Sequence, residues 1–182
     1  MSEISKRWGV FSSKTILIAA VLAFFTSVGT ASAETTLEKI KRTGKTTVGT
    51  EAAFPPFEFI KDGKIVGYGK DILDYIIADL GVELNQLDLP WQGILPGVLA
   101  GKFDFVATSV SIRPERVVKY AYTVPIAEGT VWTMKRAGDD SINSIDDLAG
   151  KVVGTQLASG GEANSKEFEA KLKERGLGGY KA

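Results

Sequence analysis

Arg116 is the residue whose type and position most clearly suggest chemistry. It follows a predicted buried strand over residues 103–107 and lies near a predicted helical turn that begins at Pro114. A guanidinium binds a carboxylate through two parallel, charge-assisted hydrogen bonds, and backbone N–H groups at a helix start also favour an anion. Arg116 is therefore a candidate carboxylate-binding residue. Its position alone is equally compatible with a solvated surface arginine, which is how we interpret Arg113.

Three hydroxyl residues lie between that strand and Arg116. Thr108, Ser109 and Ser111 follow the carboxyl end of the predicted strand, and open α/β sheets bind their ligands at this edge. Their hydroxyl and amide groups could complete a cradle for an anion. Serine and threonine are also good helix caps. The two roles are compatible, because a cap and a ligand site can share the same geometry.

Two aromatic residues stand in loops between the predicted elements. Phe54 precedes two prolines, and Trp91 follows Pro90 between a strand and a helix. A ring in such a position can cover an aliphatic stem or lie over a cationic group. Core packing is the default for aromatic residues, and we keep that interpretation for Phe57 and Phe59.

The composition limits what other chemistry the chain can perform. Its 182 residues include no cysteine and no histidine, which excludes disulfides, thiolate nucleophiles, a zinc cluster of Cys and His, and a Ser-His-Asp triad. Enzyme chemistry would have to use carboxylates, lysine, tyrosine or serine. The 22 basic and 22 acidic side chains balance each other. We therefore expect no nucleic-acid partner, and no cofactor is indicated.

Residues 1–33 have the three parts of a secretory signal peptide. Three basic residues precede an apolar run over residues 16–25, and small residues at 31–33 match a cleavage site. A membrane anchor is the alternative, but a spanning helix needs about 20 apolar residues. We expect cleavage after Ala33, which removes three basic residues and one acidic residue and leaves a net charge of −2. These features predict a periplasmic protein.

The mature chain alternates between predicted strands and helices. A hairpin is indicated by two β-rich runs around the turn Lys61-Asp62-Gly63-Lys64. The other predicted elements before residue 124 are 37–42, 46–49, 71–80, 82–89, 93–100 and 103–107. Strands that alternate with helices predict an α/β fold with a mainly parallel sheet covered on both faces.

A second α/β unit begins at about residue 125. Strands are predicted over 130–135 and 151–155, a helical turn over 144–148, and a helix over 162–175. One strand pair and two helices are too few to bury a self-sufficient core. We therefore expect the isolated mature segment to fold poorly or to dimerise.

Five short motifs occur in an order and spacing typical of one protein family. They are residues 51–59 (EAAFPPFEF), 67–72 (GYGKDI), 91–96 (WQGILP), 101–104 (GKFD) and 109–116 (SVSIRPER). Together they resemble the periplasmic amino-acid-binding proteins of ABC importers, the family 3 solute-binding group. The resemblance implies a type II periplasmic-binding-protein-like fold of two lobes with mainly parallel sheets. Residues 34–124 would form lobe 1 without its C-terminal return, and residues 125–182 a hinge strand (near 122–129) and an incomplete lobe 2.

The resemblance also implies which residues face the ligand. Arg116 matches the arginine that binds the α-carboxylate of the amino acid. Glu51 stands where many relatives carry an aspartate that can pair with a cationic ligand side chain, although it could equally be a surface charge near the hinge. The other implied ligand-facing residues are Thr108, Ser109, Ser111, Phe54, Trp91, Gln156 and Ser159.

The implied function is capture of a polar amino acid between two lobes and its delivery to an inner-membrane ABC permease. The full-length relative would be a monomer and would not be an enzyme. The alternative is a periplasmic cyclohexadienyl (arogenate/prephenate) dehydratase on the same fold, which the motifs resemble more distantly. Such an enzyme needs a positioned general acid, and Glu51 is the only candidate in the cleft.

Overall fold

The computed structural model describes residues 33–181. The predicted signal peptide lies outside the described residues, apart from Ala33. Within the described range, no helix combines the length and apolar character needed to cross a membrane. The described residues divide into two units, 33–39 and 40–181.

The described part of the first unit contains the start of helix α1 (Thr36–Thr43). Thr35 caps this helix: its Oγ1 accepts a hydrogen bond from the Glu38 amide at 3.2 Å, and Glu38 Oε2 accepts one from the Thr35 amide at 2.8 Å. This reciprocal pair is a capping box. The sequence predicted this helix over residues 37–42, so its start was placed one residue too late.

The central sheet of the second unit is parallel, as predicted. It contains β1 (Lys45–Thr50), β5 (Glu83–Asp88) and β6 (Phe105–Val106) in the order β5-β1-β6. The β-branched residues of β1 favour a strand, and Val48 is completely buried. Because the strands are parallel, their carboxyl ends meet at one edge. The loop over residues 108–111, called the 108–111 loop below, follows β6 at this edge.

A second sheet of three antiparallel strands contains the predicted hairpin. Its strands are β2 (Ala53–Phe54), β3 (Glu58–Lys61) and β4 (Lys64–Val66). Asp62 and Gly63 form the turn with φ of 52° and 74°, the positive pair that matches a two-residue hairpin. The sequence did not predict β2, which pairs with β3 through Ala53↔Phe59 and Phe54↔Glu58.

Helices connect the strands, and the helix over residues 91–99 packs against β1 and β6 of the central sheet. They are α2 (Tyr68–Leu80), α3 (Trp91–Leu99) and the short α4 (Pro114–Val117). Helix α2 begins three residues before its predicted start, and α3 begins two residues before. The buried apolar side chains from these helices and from the end of α1 are Ile40, Leu73, Trp91 and Ile94. The α/β class with a parallel sheet is confirmed.

The strands predicted after residue 120 are not formed as such. Across 107–159, the described chain contains no β-strand, so the predictions of a hinge strand at 122–129 and a strand at 130–135 are wrong. The predicted strand at 151–155 is reduced to one parallel bridge between Val152 and Lys181. A strand is stable only when its backbone groups pair with a neighbour. Residues 130–135 are rich in strand-forming residues, but in the described chain they have no neighbouring strand with which to pair.

Residues 142–181 form a small cluster around helix α5 (Gly160–Glu174) and the 3-10 helix Asp146–Leu148. Leu148, Leu172 and Tyr180 are its buried apolar residues. Arg175 binds both carboxylate oxygens of Asp146 at 2.5 Å, and the Tyr180 hydroxyl bonds to Ser165. This cluster corresponds to the predicted helices at 144–148 and 162–175.

Candidate ligand-binding site

Arg116 is buried, with 8% of its surface exposed. Its Nη1 donates to the Ser111 carbonyl oxygen at 3.2 Å and its Nη2 to the Ala158 carbonyl oxygen at 3.0 Å. Its guanidinium carbon lies 5.4 Å from the centre of the Trp91 ring. The interpretation of Arg116 as a solvated surface residue is therefore wrong. Its position joins the 108–111 loop to the loop that precedes α5.

Trp91 lies under the Arg116 guanidinium instead of at an open rim. It is the first residue of α3 and only 7% exposed. An aromatic face attracts a cation that lies within about 6 Å of its centre. The Trp91 ring therefore stabilises the Arg116 guanidinium through a cation–π contact. This contact was not predicted from the sequence.

Arg113, which was interpreted as a surface residue, also contacts helix α5. Its Nη1 donates to Asn164 Oδ1 at 2.9 Å and its Nη2 to Glu167 Oε1 at 3.4 Å. Its Nε donates to Glu115 Oε1 at 2.6 Å, and this bond raises the pKa of Arg113 above its ordinary value. Both arginines of the RPER motif thus contact the region of residues 156–167.

Thr108 and Ser109 bind a buried carboxylate that the sequence analysis missed. Ser109 Oγ donates to Glu58 Oε1 at 2.9 Å, the Ser109 amide to Oε2 at 3.1 Å, and Thr108 Oγ1 to Oε2 at 3.4 Å. Glu58 is 2% exposed. Burial raises the pKa of the Glu58 carboxyl, although these hydrogen bonds act in the opposite direction. The signal in the sequence was an acidic residue between two phenylalanines in a β-rich run.

Ser111 is exposed and lies near the start of α5. A Cβ added to Gly160 would be 3.8 Å from Ser111 Oγ, and the Ser111 carbonyl oxygen binds Arg116. The hydroxyl of Ser111 therefore lies near the start of α5, and its carbonyl group lies against Arg116.

Glu51 and Gln156 are in direct contact, although 105 positions separate them in the sequence. Gln156 Nε2 donates to Glu51 Oε1 at 2.6 Å. Thr108 Oγ1 lies 3.5 Å from the Glu51 carbonyl oxygen, which ties Glu51 to the 108–111 loop. Two residues predicted to meet the ligand from opposite sides are thus brought together.

Ser159 is the N-cap of α5. Its Oγ accepts a hydrogen bond from the Glu162 amide at 3.2 Å, and Glu162 Oε2 accepts one from the Ala158 amide at 2.6 Å. Ala158 has a left-handed φ of 61°, and its carbonyl oxygen is the one that Arg116 binds. The Ser159 hydroxyl thus stabilises the loop that supplies this acceptor.

Phe54 is not part of the group formed by Arg116, Trp91, Ser111 and Ala158, called the Arg116 cluster below. It is 48% exposed and stacks on Phe57 with ring centres 5.5 Å apart. Both rings line a cavity of about 820 Å³ that also includes residues of the 108–111 loop and residues 119–129. Arg116 and Trp91 are not among its lining residues. The 108–111 loop therefore borders two features, this cavity and the Arg116 cluster.

Metal binding has no candidate site among residues 33–181, where no three acidic side chains come together suitably. The chemistry that the Arg116 cluster can perform is anion recognition. A guanidinium has five N–H donors in a planar fork that matches a carboxylate. One of its present acceptors, the Ala158 carbonyl, belongs to a loop and is uncharged.

The sequence model of one protein family, the bacterial extracellular solute-binding proteins, family 3, matches residues 46–175. The chain belongs to this family.

The relatives and solved structures that resemble this chain are named as amino-acid-binding proteins. The L-cystine-binding protein TcyJ of Escherichia coli is 32% identical over 145 residues, which are 79% of this chain and 54% of the relative. The chain thus spans about half the length of the curated relatives it matches. A solved ancestral arginine-binding protein bound to glutamine is 37% identical, with a TM-score of 0.63 over 71% of this chain and 58% of that one.

A third similarity concerns the dehydratase alternative. The crystal structure of an ancestral amino-acid-binding protein, described as a precursor of cyclohexadienyl dehydratase, is 33% identical with a TM-score of 0.64. It covers 75% of this chain and 62% of that one. The dehydratase appears there only as a descendant of an amino-acid-binding protein.

Proposed function

We propose that this chain captures a polar amino acid as the extracytoplasmic solute-binding component of an ABC importer. The observation that carries the proposal is Arg116, a buried guanidinium that lies on Trp91 and donates to the Ala158 carbonyl. A free amino acid always presents a carboxylate. A charged carboxylate is a stronger acceptor for a guanidinium than a neutral carbonyl.

Binding proceeds by exchange of partners at this cluster. The ligand carboxylate takes the place of the Ala158 carbonyl on Arg116 and gains a hydrogen bond from the Ser111 hydroxyl, whereas the donors of Ser109 remain on Glu58. A ligand that contacts residues from both sides favours the arrangement in which the two sides are close, which is ligand-stabilised closure. The two sides are the predicted lobes over residues 34–124 and 125–182.

The ligand is a cationic or polar amino acid. Glu51 contacts Gln156, which is two residues before Ala158 in the chain. The Glu51 carboxylate can pair with a cationic group on the ligand side chain. The relatives named above bind L-cystine, or arginine with glutamine as a bound ligand. These ligands are all polar, and arginine is the one that Glu51 would favour electrostatically.

The remaining parts of the proposal follow the family. The protein acts in the periplasm after cleavage of its signal peptide, and its partner is an inner-membrane permease. It requires no cofactor and is not an enzyme. A dehydratase would need a general acid against the substrate. Glu58, the most deeply buried carboxyl among residues 33–181, is instead engaged by Ser109 and Thr108.

A thermal-shift screen of the purified protein against the twenty amino acids tests this function. A ligand at 100 times its dissociation constant stabilises the folded state by about 2.7 kcal/mol, which raises the melting midpoint measurably. We expect a shift with L-arginine or another polar amino acid, and loss of the shift in Arg116→Ala. Arg136→Ala is the matched control, because Arg136 is exposed and outside the cluster.

The screen also separates the two functions. If no amino acid shifts a cooperative transition, the binding function is wrong. Turnover of prephenate or arogenate by the same preparation would support the dehydratase instead.

A further inference from the structure

We propose that Glu58 is a positioning residue that holds the 108–111 loop in the arrangement through which Arg116 receives a carboxylate. Its effect on ligand affinity rests on the proposed function. Its effect on the loop does not, so the two can be tested separately. Glu58 does not contact the guanidinium of Arg116. It acts on Arg116 through Ser109 and the rest of the 108–111 loop.

The contacts of Glu58 hold one specific part of the loop. Both carboxylate oxygens accept hydrogen bonds from Ser109, one from its hydroxyl at 2.9 Å and one from its amide at 3.1 Å. Thr108 Oγ1 adds a longer bond of 3.4 Å. Because one bond goes to the backbone amide, the carboxylate restrains the path of the main chain and not only the side-chain rotamers.

The surroundings of Glu58 leave its carboxylate little freedom. It is 2% exposed, and a Cβ added to Gly69 would lie only 2.0 Å from Oε1. The carboxylate therefore packs directly against the backbone of the first turn of α2, where the helix dipole favours negative charge. Glu58 is thus confined between α2 on one side and the 108–111 loop on the other.

The restrained segment leads directly to Arg116. Ser111 is two residues beyond Ser109, and its carbonyl oxygen binds Arg116 Nη1 at 3.2 Å. Thr108 Oγ1 is also 3.5 Å from the Glu51 carbonyl oxygen. A shift of the loop would therefore move an acceptor of Arg116 and a neighbour of Glu51 together. A buried polar residue that only filled the core would leave both unchanged.

The first test needs no ligand. In ¹⁵N–¹H correlation spectra, we expect Glu58→Gln to move the Ser109 and Ser111 amide resonances and the Arg116 Nε–H resonance. Glu174→Gln is the matched control, because Glu174 is exposed near the end of α5. If the Arg116 resonance is the same in Glu58→Gln and in the unsubstituted protein, the proposal is overturned, whether or not any amino acid binds.

The second test measures L-arginine affinity by calorimetry in a double-mutant cycle. We expect Glu58→Gln to weaken binding about tenfold, the effect of one charge-assisted hydrogen bond. Because Glu58 acts through Ser109, the double variant Glu58→Gln/Ser109→Ala should bind no more weakly than the weaker single variant. Independent, additive losses would overturn the proposal.

Two further outcomes are also decisive. If Glu58→Gln does not fold, Ser109→Ala removes one carboxylate bond from the loop side and is expected to move the Arg116 resonance; an unmoved resonance overturns the proposal. If the unsubstituted protein binds no amino acid, the proposed function fails. The spectra of Glu58→Gln then still decide the positioning role.

Discussion

Arg116 and Glu58 are the two charged residues whose burial defines the site. Each is compensated differently: Arg116 by two carbonyl oxygens and the Trp91 ring, Glu58 by the hydroxyl and amide donors of Ser109 and Thr108. Burial of a charge is costly unless it is hydrogen-bonded. Arg116 was recognisable from its motif, but Glu58 was given no role: alternation places it on the opposite face from Phe57 and Phe59, and the sequence does not show that this face is buried.

The raised pKa of Glu58 predicts a specific dependence of stability on pH. A carboxyl whose folded-state pKa lies above its unfolded value, near 4.5, stabilises the fold most below that value. This contribution is lost as the pH rises through the folded-state pKa. The slope of unfolding free energy against pH above 4.5 should therefore be less negative in Glu58→Gln. Urea unfolding from pH 4.5 to 7 measures it, and parallel curves for the two proteins would contradict the assignment.

At the level of elements, one turn and one helix start determine where Glu58 lies. The hairpin turn at Asp62 and Gly63 pairs β3 with β4 in the register Ile60↔Ile65. Glu58, two residues before Ile60 on the strand, is buried at the beginning of β3. The start of α2 then covers its carboxylate. The hairpin was predictable because turn chemistry is a local property, whereas the first turn of α2 lies before the predicted helix start at residue 71.

A glycine is required where α2 meets this carboxylate. We expect Gly69→Ala to destabilise the fold by about 1–3 kcal/mol, the usual cost of overpacking, because the new methyl group would displace Glu58 from Ser109. Gly93→Ala in α3 is the control: nothing lies within 4 Å of its added Cβ, and alanine is the better helix former. Chemical denaturation compares the two variants, and equal stability changes would refute the steric argument.

Within the described part of the second unit, four hydrogen bonds join the 108–116 region and Glu51 to residues 156–167. They are Arg116–Ala158, Glu51–Gln156 and the bonds from Arg113 to Asn164 and Glu167. Only the Arg113 contacts involve no residue predicted to meet the ligand. Arg113 therefore offers a way to weaken the junction without altering the candidate binding groups.

Arg113→Met should accelerate L-arginine dissociation about fivefold, consistent with the loss of a partly exposed ion pair and a hydrogen bond. The association rate should change less, because the Arg116 cluster is intact. Stopped-flow kinetics separates the two rates, and Arg136→Met is the control. An unchanged dissociation rate would mean that the contacts with Asn164 and Glu167 do not stabilise the bound arrangement.

The irregular segment over residues 117–134 exposes several large apolar side chains. Those most exposed are Val118, Val124, Trp132 and Met134. Exposed apolar patches promote association, so we expect the purified chain to self-associate as its concentration rises. Light scattering coupled to size exclusion measures the mass. The double variant Trp132→Ser/Met134→Ser should shift it towards the monomer, whereas Leu157→Ser, an exposed apolar residue outside the segment, should not.

The α/β class, the family and Arg116 as the candidate binding cation could be predicted from the sequence alone, because periodicity, turn residues and motif spacing are local signals. It overestimated the strands after residue 120, since a strand depends on a partner that composition does not reveal.

Three pairings became visible only in the folded chain: Ser109 with Glu58, Gln156 with Glu51, and Arg113 with α5. These pairs are separated by more than fifty residues in the chain. Which of several polar groups meet across such distances depends on how the elements pack, and no local pattern in the sequence contains that information.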